Sequence, residues 1–353
     1  MSVPARGPSD EEILEFKRNY WTKPGIGAEY HHFALEPAPI TRAKNIVEFG
    51  FVLAHTLGPR VLDAGAGTGR FQITLRKAGH KAVALDYSLD MLRTAISSAR
   101  RQSLDAPCTR GDVFKMPFRD DTFDSVVSMT VIRHFPQWRE ILAEYARVVR
   151  PGGRIVFDAA SGDQESFMRR HYGRESVGKA SAPMNFNAPV SLMDIYAIAS
   201  KLGMRIHWMG PYDFFNENAL LKHIHGEAYA PFLDALKGLL STDDAIAVYF
   251  MLSRHVLGRV SPACSSSWFI VLEKGHRETD PPRWPQFPRG FQPKSVEELV
   301  EAALSDDPRR SRELVASLQA LRNVSHPGKL LAYLDEQFVA SVPGPAWNWA
   351  LPT

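Results

Sequence analysis

The sequence predicts an α/β domain built on a doubly wound, mostly parallel sheet of seven strands, and three observations predict it. Short apolar runs read as buried strands, among them KAVALD at 81–86, FDSVVS at 123–128 and RIVFDAA at 154–160. Between them lie stretches whose apolar residues recur at helical spacing, the alternation that produces a parallel sheet covered on both faces. A glycine-rich turn, DAGAGTG at 63–69, joins the first strand (Val61, Leu62) to a helix whose apolar residues are Phe71, Ile73 and Leu75.

That turn is the organising element. A chain leaving a buried strand and entering a helix within a few residues needs positive φ or close backbone approach, which glycine supplies without steric cost. Gly65, Gly67 and Gly69 stand at alternate positions. The turn exposes backbone N–H groups at a helix N-terminus, where a nucleotide-like ligand approaches the main chain. Arg70 occupies the place of the third glycine of a dinucleotide turn, and Gly69-Arg70-Phe71 does not supply the Gly-Lys-Ser/Thr of a P-loop.

The elements follow in order. Asp10 to Tyr20 reads as a short helix with an acidic first turn, and residues 20 to 33, YWTKPGIGAEYHHF, interleave aromatics and histidines with glycine and proline. This stretch is read as a cap over the core and as a lid over a cationic ligand, since Tyr and Trp faces attract a sulfonium as they do an ammonium. Residues 41 to 57 read as a helix stopped by Gly58 and Pro59, with Arg42 in its first turn. The second strand ends at Asp86, and Ser88 caps a helix bearing Met91, Leu92, Ala95 and Ile96. An acidic residue about 20 positions beyond a glycine turn is what a ribose requires, because one carboxylate accepts from both hydroxyls. After the fourth strand, residues 138 to 149 read as a helix closed by Arg-Pro-Gly-Gly at 150–153, followed by the fifth strand at 154–160. Residues 191 to 202 read as a helix, 204 to 212 as a sixth strand and 265 to 275 as a seventh.

The segments VLDAGAGTGR, LDYSLDML, GDVFKMPF, FDSVVSMTVIRHF and RVVRPGGRIVF stand in the order and spacing of class I S-adenosylmethionine (SAM) dependent methyltransferases, and the chain resembles the methyltransferase type 11 group, similar to the ubiquinone/menaquinone C-methyltransferases. The resemblance covers residues 42 to 160. It implies a Rossmann-like SAM methyltransferase fold with SAM as cofactor. It also implies roles. Asp63, Gly65 and Gly67 lie at the amino-acid half and ribose, where a carboxylate suits a cationic ligand. Asp86 holds the ribose, with Tyr87 beside it. Asp112 accepts the adenine amino group, Val113 packs near the ring and Met129 closes the fourth strand. Arg42 pairs with the SAM carboxylate, as an arginine at this register does in enzymes resembling glycine N-methyltransferase. The group often has His-His after the fourth strand, where this chain has Arg133-His134. His134 is the candidate general base if the acceptor loses a proton, and the alternative is a histidine packed against the SAM loop or Trp138.

Length and composition narrow the function. The chain has 353 residues, 44% hydrophobic and 23% charged, with a formal net charge of +3, the balance of a globular protein without a polybasic footprint. Cys108 and Cys264 are its only cysteines, far apart and in no metal-like spacing; the pair His223 and His225 diverges on a helix or strand, so no metal is expected. No apolar run approaches the roughly 18 residues of a membrane span and no leader is seen, so a cytoplasmic protein is expected. The expected organisation is a cap at 1–41, the methyltransferase domain at 42–276 with a helical insertion at about 213–262, a proline-rich linker at 277–293 and a helical annex at 294–353. The expected function is methyl transfer to an O, N or C atom of a small-molecule acceptor, with a homodimer possible. The alternatives are a tRNA- or rRNA-modifying methyltransferase and a non-catalytic SAM-binding subunit. Tyr20, Tyr30, His31, Tyr172, Tyr212 and His223 are further candidates for the acceptor site, and the insertion is a candidate for selecting the acceptor.

Overall fold

The computed structural model describes residues 8–35, 39–172, 186–212 and 266–275. The insertion at about 213–262, the linker, the annex, Cys264, His223 and His225 lie outside these residues, as do the side chains of Arg42, Tyr172 and Tyr212. The chain divides into two compact units, one formed by residues 1–36, 49–209 and 268–281 and the other by 37–48, 210–267 and 282–353. The first holds the glycine turn and the elements around it.

Helices α1 (Asp10–Thr22), α2 (Ile26–Leu35) and α3 (Pro39–His55) precede the sheet. Ser9 caps α1 in a reciprocal box with Glu12, which satisfies two of the N–H groups that a helix start leaves without partners. Then follow β1 (Arg60–Ala64), α4 (Arg70–Lys77), β2 (Lys81–Asp86), α5 (Leu89–Arg101), β3 (Cys108–Arg110), β4 (Phe123–Ser128), a 3-10 turn (Ile132–His134), α6 (Trp138–Val148), β5 (Val149–Ser161), α7 (Gly162–Tyr172), β6 (Pro189–Val190), α8 (Leu192–Lys201), β7 (Met204–Tyr212) and β8 (Ser267–Lys274).

The sheet order is β3-β2-β1-β4-β5-β8-β7, with β6 beside β5. The pairs β1–β2, β1–β4, β2–β3, β4–β5 and β5–β6 are parallel. This is the expected doubly wound α/β sheet, with the two-residue β6 as an eighth strand among the described residues. The strand order reverses between β1 and β4, so the crevice for a ligand opens at the carboxyl ends of those strands. The central strands are largely apolar, as in a sheet covered on both faces: Val61, Leu62, Val126, Val127, Ile155, Val156 and Phe157 are fully buried, each such side chain contributing about 1.5–3 kcal/mol.

Three local differences from the sequence reading have physical causes. β5 begins at Val149, not 154; the Arg-Pro-Gly-Gly segment is absorbed into the strand through a register shift against β4, with Gly152 at φ 74°. Residues 26–35 form helix α2 despite Gly27, which is the close-approach point to α5: a Cβ there would lie 2.6 Å from the Asp90 carbonyl oxygen. The amide of Gly27 donates to Asp90 Oδ2 at 2.8 Å. Helix α7, whose periodicity is weak, was not expected.

Candidate active site

The glycine turn is built as its composition requires. Gly65, Gly67 and Gly69 have φ of 73°, 54° and 79°. A Cβ on Gly65 would lie 2.4 Å from Val131 Cγ2, so the turn is packed directly against the loop that leaves β4. The amides of Gly65 and Ala66 both donate to the Leu85 carbonyl, at 2.8 and 3.0 Å, which fixes the end of β1 to the end of β2.

Two carboxylates hold this corner. Asp63, 1% exposed, accepts from the Gln72 amide at 2.8 Å and so fastens the first turn of α4 beneath the glycines. Burial pushes its carboxyl up to about 7, against the pull of the Gln72 amide and of Arg70. Asp86 accepts from the Gly67 amide through Oδ2 and from the Ser88 amide through Oδ1, both at 2.8 Å. Burial raises its pKa, and the amides of Ser88, Gly67 and Tyr87 oppose the rise. Each carboxylate oxygen has two acceptor sites, so Asp86 retains capacity for further donors.

A cleft of about 920 Å³, counting its open mouth, runs over this corner. One side, at the ends of β2 and β3, is lined by Gly67, Asp86, Tyr87, Asp112, Val113 and Phe114. Its other side, beyond the end of β4, is lined by Met129, Thr130, Val131, His134 and Phe135. The structure therefore brings together eight of the expected residues, Gly65, Gly67, Asp86, Tyr87, Asp112, Val113, Met129 and His134. Asp63 lies behind the turn and does not line the cleft. The position of the Arg42 side chain lies outside the described residues.

The loop after β4 is held from beneath. Thr130 has φ 62°, a left-handed conformation rare for a β-branched residue, and its amide donates to Asp158 Oδ1 of β5. The second oxygen of Asp158 pairs with Arg133 at 3.3 Å, with Asp158 fully buried. This pinning fixes where His134 stands. The His134 Nδ1 is buried and, among the described residues, has no hydrogen-bond partner. Burial holds the imidazole down at about 3, with Lys17 and Arg133 adding to the effect and a hydrogen bond with the Thr130 backbone opposing it. His134 is thus neutral at physiological pH, and its conjugate acid is a strong one.

Of what closes the cleft from above, the sequence pointed to the aromatic part and missed the cations. Lys17, Arg18 and Trp21 of α1 and Tyr30 of α2 form its roof. Arg18 Nη2 donates to Asp112 Oδ2 at 2.6 Å, and the guanidinium lies 5.8 Å from the ring centres of both Tyr87 and Phe114. Trp21 packs edge-on to Tyr30 at 5.7 Å and tilted against His134 at 5.6 Å, an aromatic wall reaching from the glycine turn to the β4 loop. The aromatic stretch 20 to 33 pointed to Trp21 and Tyr30. For Lys17 the signal was a lysine at i+4 from Ile13 and i−4 from Trp21, on the apolar stripe of the helix; Arg18 carried none. His31 lies away from the cleft, against Ser98 and Arg101 of α5 at 3.4 and 3.1 Å.

The geometry fits a SAM-like nucleoside. Asp86 and Asp112 offer carboxylate acceptors of the kind a ribose and an exocyclic amine need, with apolar Val113 and Phe114 on the same side of the cleft. The glycine at 65 keeps the turn against Val131, so the backbone comes close to the cleft. Among the described residues no group of His, Cys, Asp or Glu is placed to hold a metal, and no helix is long and apolar enough to cross a membrane.

Comparison with known proteins finds methyltransferases. Residues 62–157 match the methyltransferase domain family. The demethylmenaquinone methyltransferase of Mycolicibacterium paratuberculosis is 42% identical over 99 residues, which are 28% of this chain and 40% of that protein. That of Streptomyces avermitilis is 38% identical over 97 residues, with the same shares. The chain thus spans about 40% of the length of these curated relatives. Among solved structures, the magnesium protoporphyrin IX methyltransferase of Synechocystis PCC 6803 with bound SAM aligns over 77% of this chain and all of its own at 15% identity, with a TM-score of 0.45.

Proposed function

From the class I SAM-dependent methyltransferase domain that residues 62–157 form, we propose that the protein transfers the methyl group of SAM to a small-molecule acceptor. The observation that carries this reading is the placement of Asp86, the Gly67 amide and Asp112 along one cleft at the carboxyl ends of adjacent parallel strands. Asp86 would hold the ribose hydroxyls, Asp112 the adenine amine, and Tyr87, Val113 and Phe114 the ring. Bound SAM supplies an activated methyl: the acceptor–carbon bond forms as the sulfur–carbon bond breaks, and the electron pair of the broken bond goes to sulfur, leaving S-adenosylhomocysteine.

The chain's own part is to position and to exclude water. Methyl transfer gains most from alignment within a low-dielectric site. Trp21, Tyr30 and Phe135 provide such walls along the cleft. The curated relatives are named demethylmenaquinone methyltransferases; the acceptor of this protein is proposed only as a small molecule.

The test is calorimetric titration of the full chain with SAM, followed by incubation of the protein with methyl-labelled SAM and a cell extract separated into small molecules and RNA. Label in the small-molecule fraction is expected. Label confined to RNA would replace the acceptor class, and absence of SAM binding would remove the function.

A further inference from the structure

Trp21 and Tyr30 stand where two helices of the roof meet the glycine turn. Gly27 lets α2 lie against α5, and its amide donates to Asp90 Oδ2 at 2.8 Å. Tyr30, three residues on, is set against the turn: two of its ring carbons lie 3.6 and 3.9 Å from where a Cβ on Gly67 would be. Trp21, in the last turn of α1, meets Tyr30 at right angles, with ring centres 5.7 Å apart. Tyr20 packs edge-on to Trp21 at 5.0 Å and His134 lies tilted against it at 5.6 Å, so three rings of the protein hold the indole in place. Trp21 and Tyr30 are half-buried, and both line the cleft.

Chemical connectivity brings the sulfur of SAM to this corner. In the methyl-transfer reading the ribose is held at Asp86, whose Oδ2 takes the Gly67 amide, and a single methylene joins the ribose ring to sulfur. The reacting methyl must face away from the nucleoside, toward the part of the cleft lined by Thr130 and His134 beyond β4. The sulfur then lies between Gly67 and His134, the stretch that Tyr30 and Trp21 wall.

Resting on that reading, we propose that Trp21 and Tyr30 form the sulfonium subsite and select the charged cofactor over its neutral product, S-adenosylhomocysteine. The carboxylates that line the cleft, Asp86 and Asp112, stand at the ends of β2 and β3, and Asp112 already takes Arg18 and the Phe114 amide. Among the described residues, no carboxylate lines the part of the cleft beyond β4. The charged side chains of the roof, Lys17 and Arg18, end in an amine and a guanidinium, which do not hold a sulfonium. The negative faces of the aromatic rings do attract a cation, over distances up to about 6 Å from the ring centre. Two rings fixed at right angles enclose that cation without having to reorganise. The attraction lasts only while sulfur is charged: once the methyl has left, the rings hold sulfur merely as an apolar group. Since the charge on sulfur declines toward the transition state, the pair contributes to cofactor affinity and product exchange rather than to the chemical step.

The experiment is calorimetric titration of the full chain with SAM and, separately, with S-adenosylhomocysteine. Trp21→Leu and Tyr30→Leu each keep an apolar side chain without a π face. Each is expected to weaken SAM about fivefold while S-adenosylhomocysteine affinity stays within twofold of wild type, which also reports that the variant is folded. Should Trp21→Leu not fold, Tyr30→Leu decides alone. Tyr30→Phe keeps the face without the hydroxyl and is expected to bind SAM within twofold of wild type. Equal losses of the two ligands in the folded leucine variants, no loss of either, or a loss in Tyr30→Phe as large as in Tyr30→Leu would overturn the proposal while leaving the methyl-transfer reading intact. A wild type that binds neither ligand would defeat that reading, and the subsite with it.

Discussion

Arg18 on α1 donates to Asp112 Oδ2 at 2.6 Å, which ties the N-terminal helix to the residue assigned to the adenine amine. The other oxygen, Oδ1, takes the Phe114 amide at 3.0 Å. The Arg18 side chain is 40% exposed, so the pair is worth at most about 1 kcal/mol. Arg18→Met should leave the melting temperature nearly unchanged but speed SAM release about fivefold, because the roof over the nucleoside is no longer fastened. Stopped-flow release into excess unlabelled ligand measures this, and an unchanged or slower rate would show that the pair does not hold the roof.

Asp86 carries two duties, and its replacement should show both. Asp86→Ala removes the proposed ribose acceptor, two charge-assisted hydrogen bonds of roughly 1.5–3 kcal/mol each. It also strips the acceptor from the Gly67 and Ser88 amides. SAM affinity should fall at least tenfold, with a lower melting temperature and an unchanged far-ultraviolet spectrum. Calorimetry showing wild-type affinity would discredit the nucleoside site as a whole.

How much of this was legible in the sequence differs along the chain. Gly65, Asp86 and Asp112 line the cleft as expected: for Gly65 and Asp86 the signal is local, a turn that must take positive φ and a strand that must end, whereas Asp112 was pointed to only by the resemblance. Asp63 was placed on the ligand by the same logic, yet its carboxylate serves the Gln72 amide beneath the turn. A strand-end carboxylate is the same residue in the sequence whether it points forward or back. Arg18 and Lys17 were missed for a different cause. Their partners, Asp112 and His134, are about a hundred residues away, and helix periodicity records that a lysine interrupts an apolar stripe but not what the stripe covers.

Asp63 gives a pH signature. Its folded pKa, about 7, is above the value near 3.9 of an unfolded aspartate, so the folded state binds more protons between those values. The stabilisation from the protonated form is present below about pH 4 and is lost as pH rises through about 7. Asp63→Asn keeps an acceptor for the Gln72 amide and removes the titration. Its melting temperature relative to wild type should therefore climb by several degrees between pH 4 and 7 and level off above about 8. A difference that stays flat across this range would mean that Asp63 is ionised at an ordinary pKa.

Gly65 tests the backbone itself. An alanine there would need φ near 73° and would drive its Cβ to 2.4 Å from Val131 Cγ2. The strained conformation alone costs on the order of 1–3 kcal/mol. The overlap with Val131 must be relieved by moving the β4 loop, which carries His134. Gly65→Ala should lower both stability and SAM affinity. A variant that binds SAM as tightly as wild type would show that the turn does not approach the ligand.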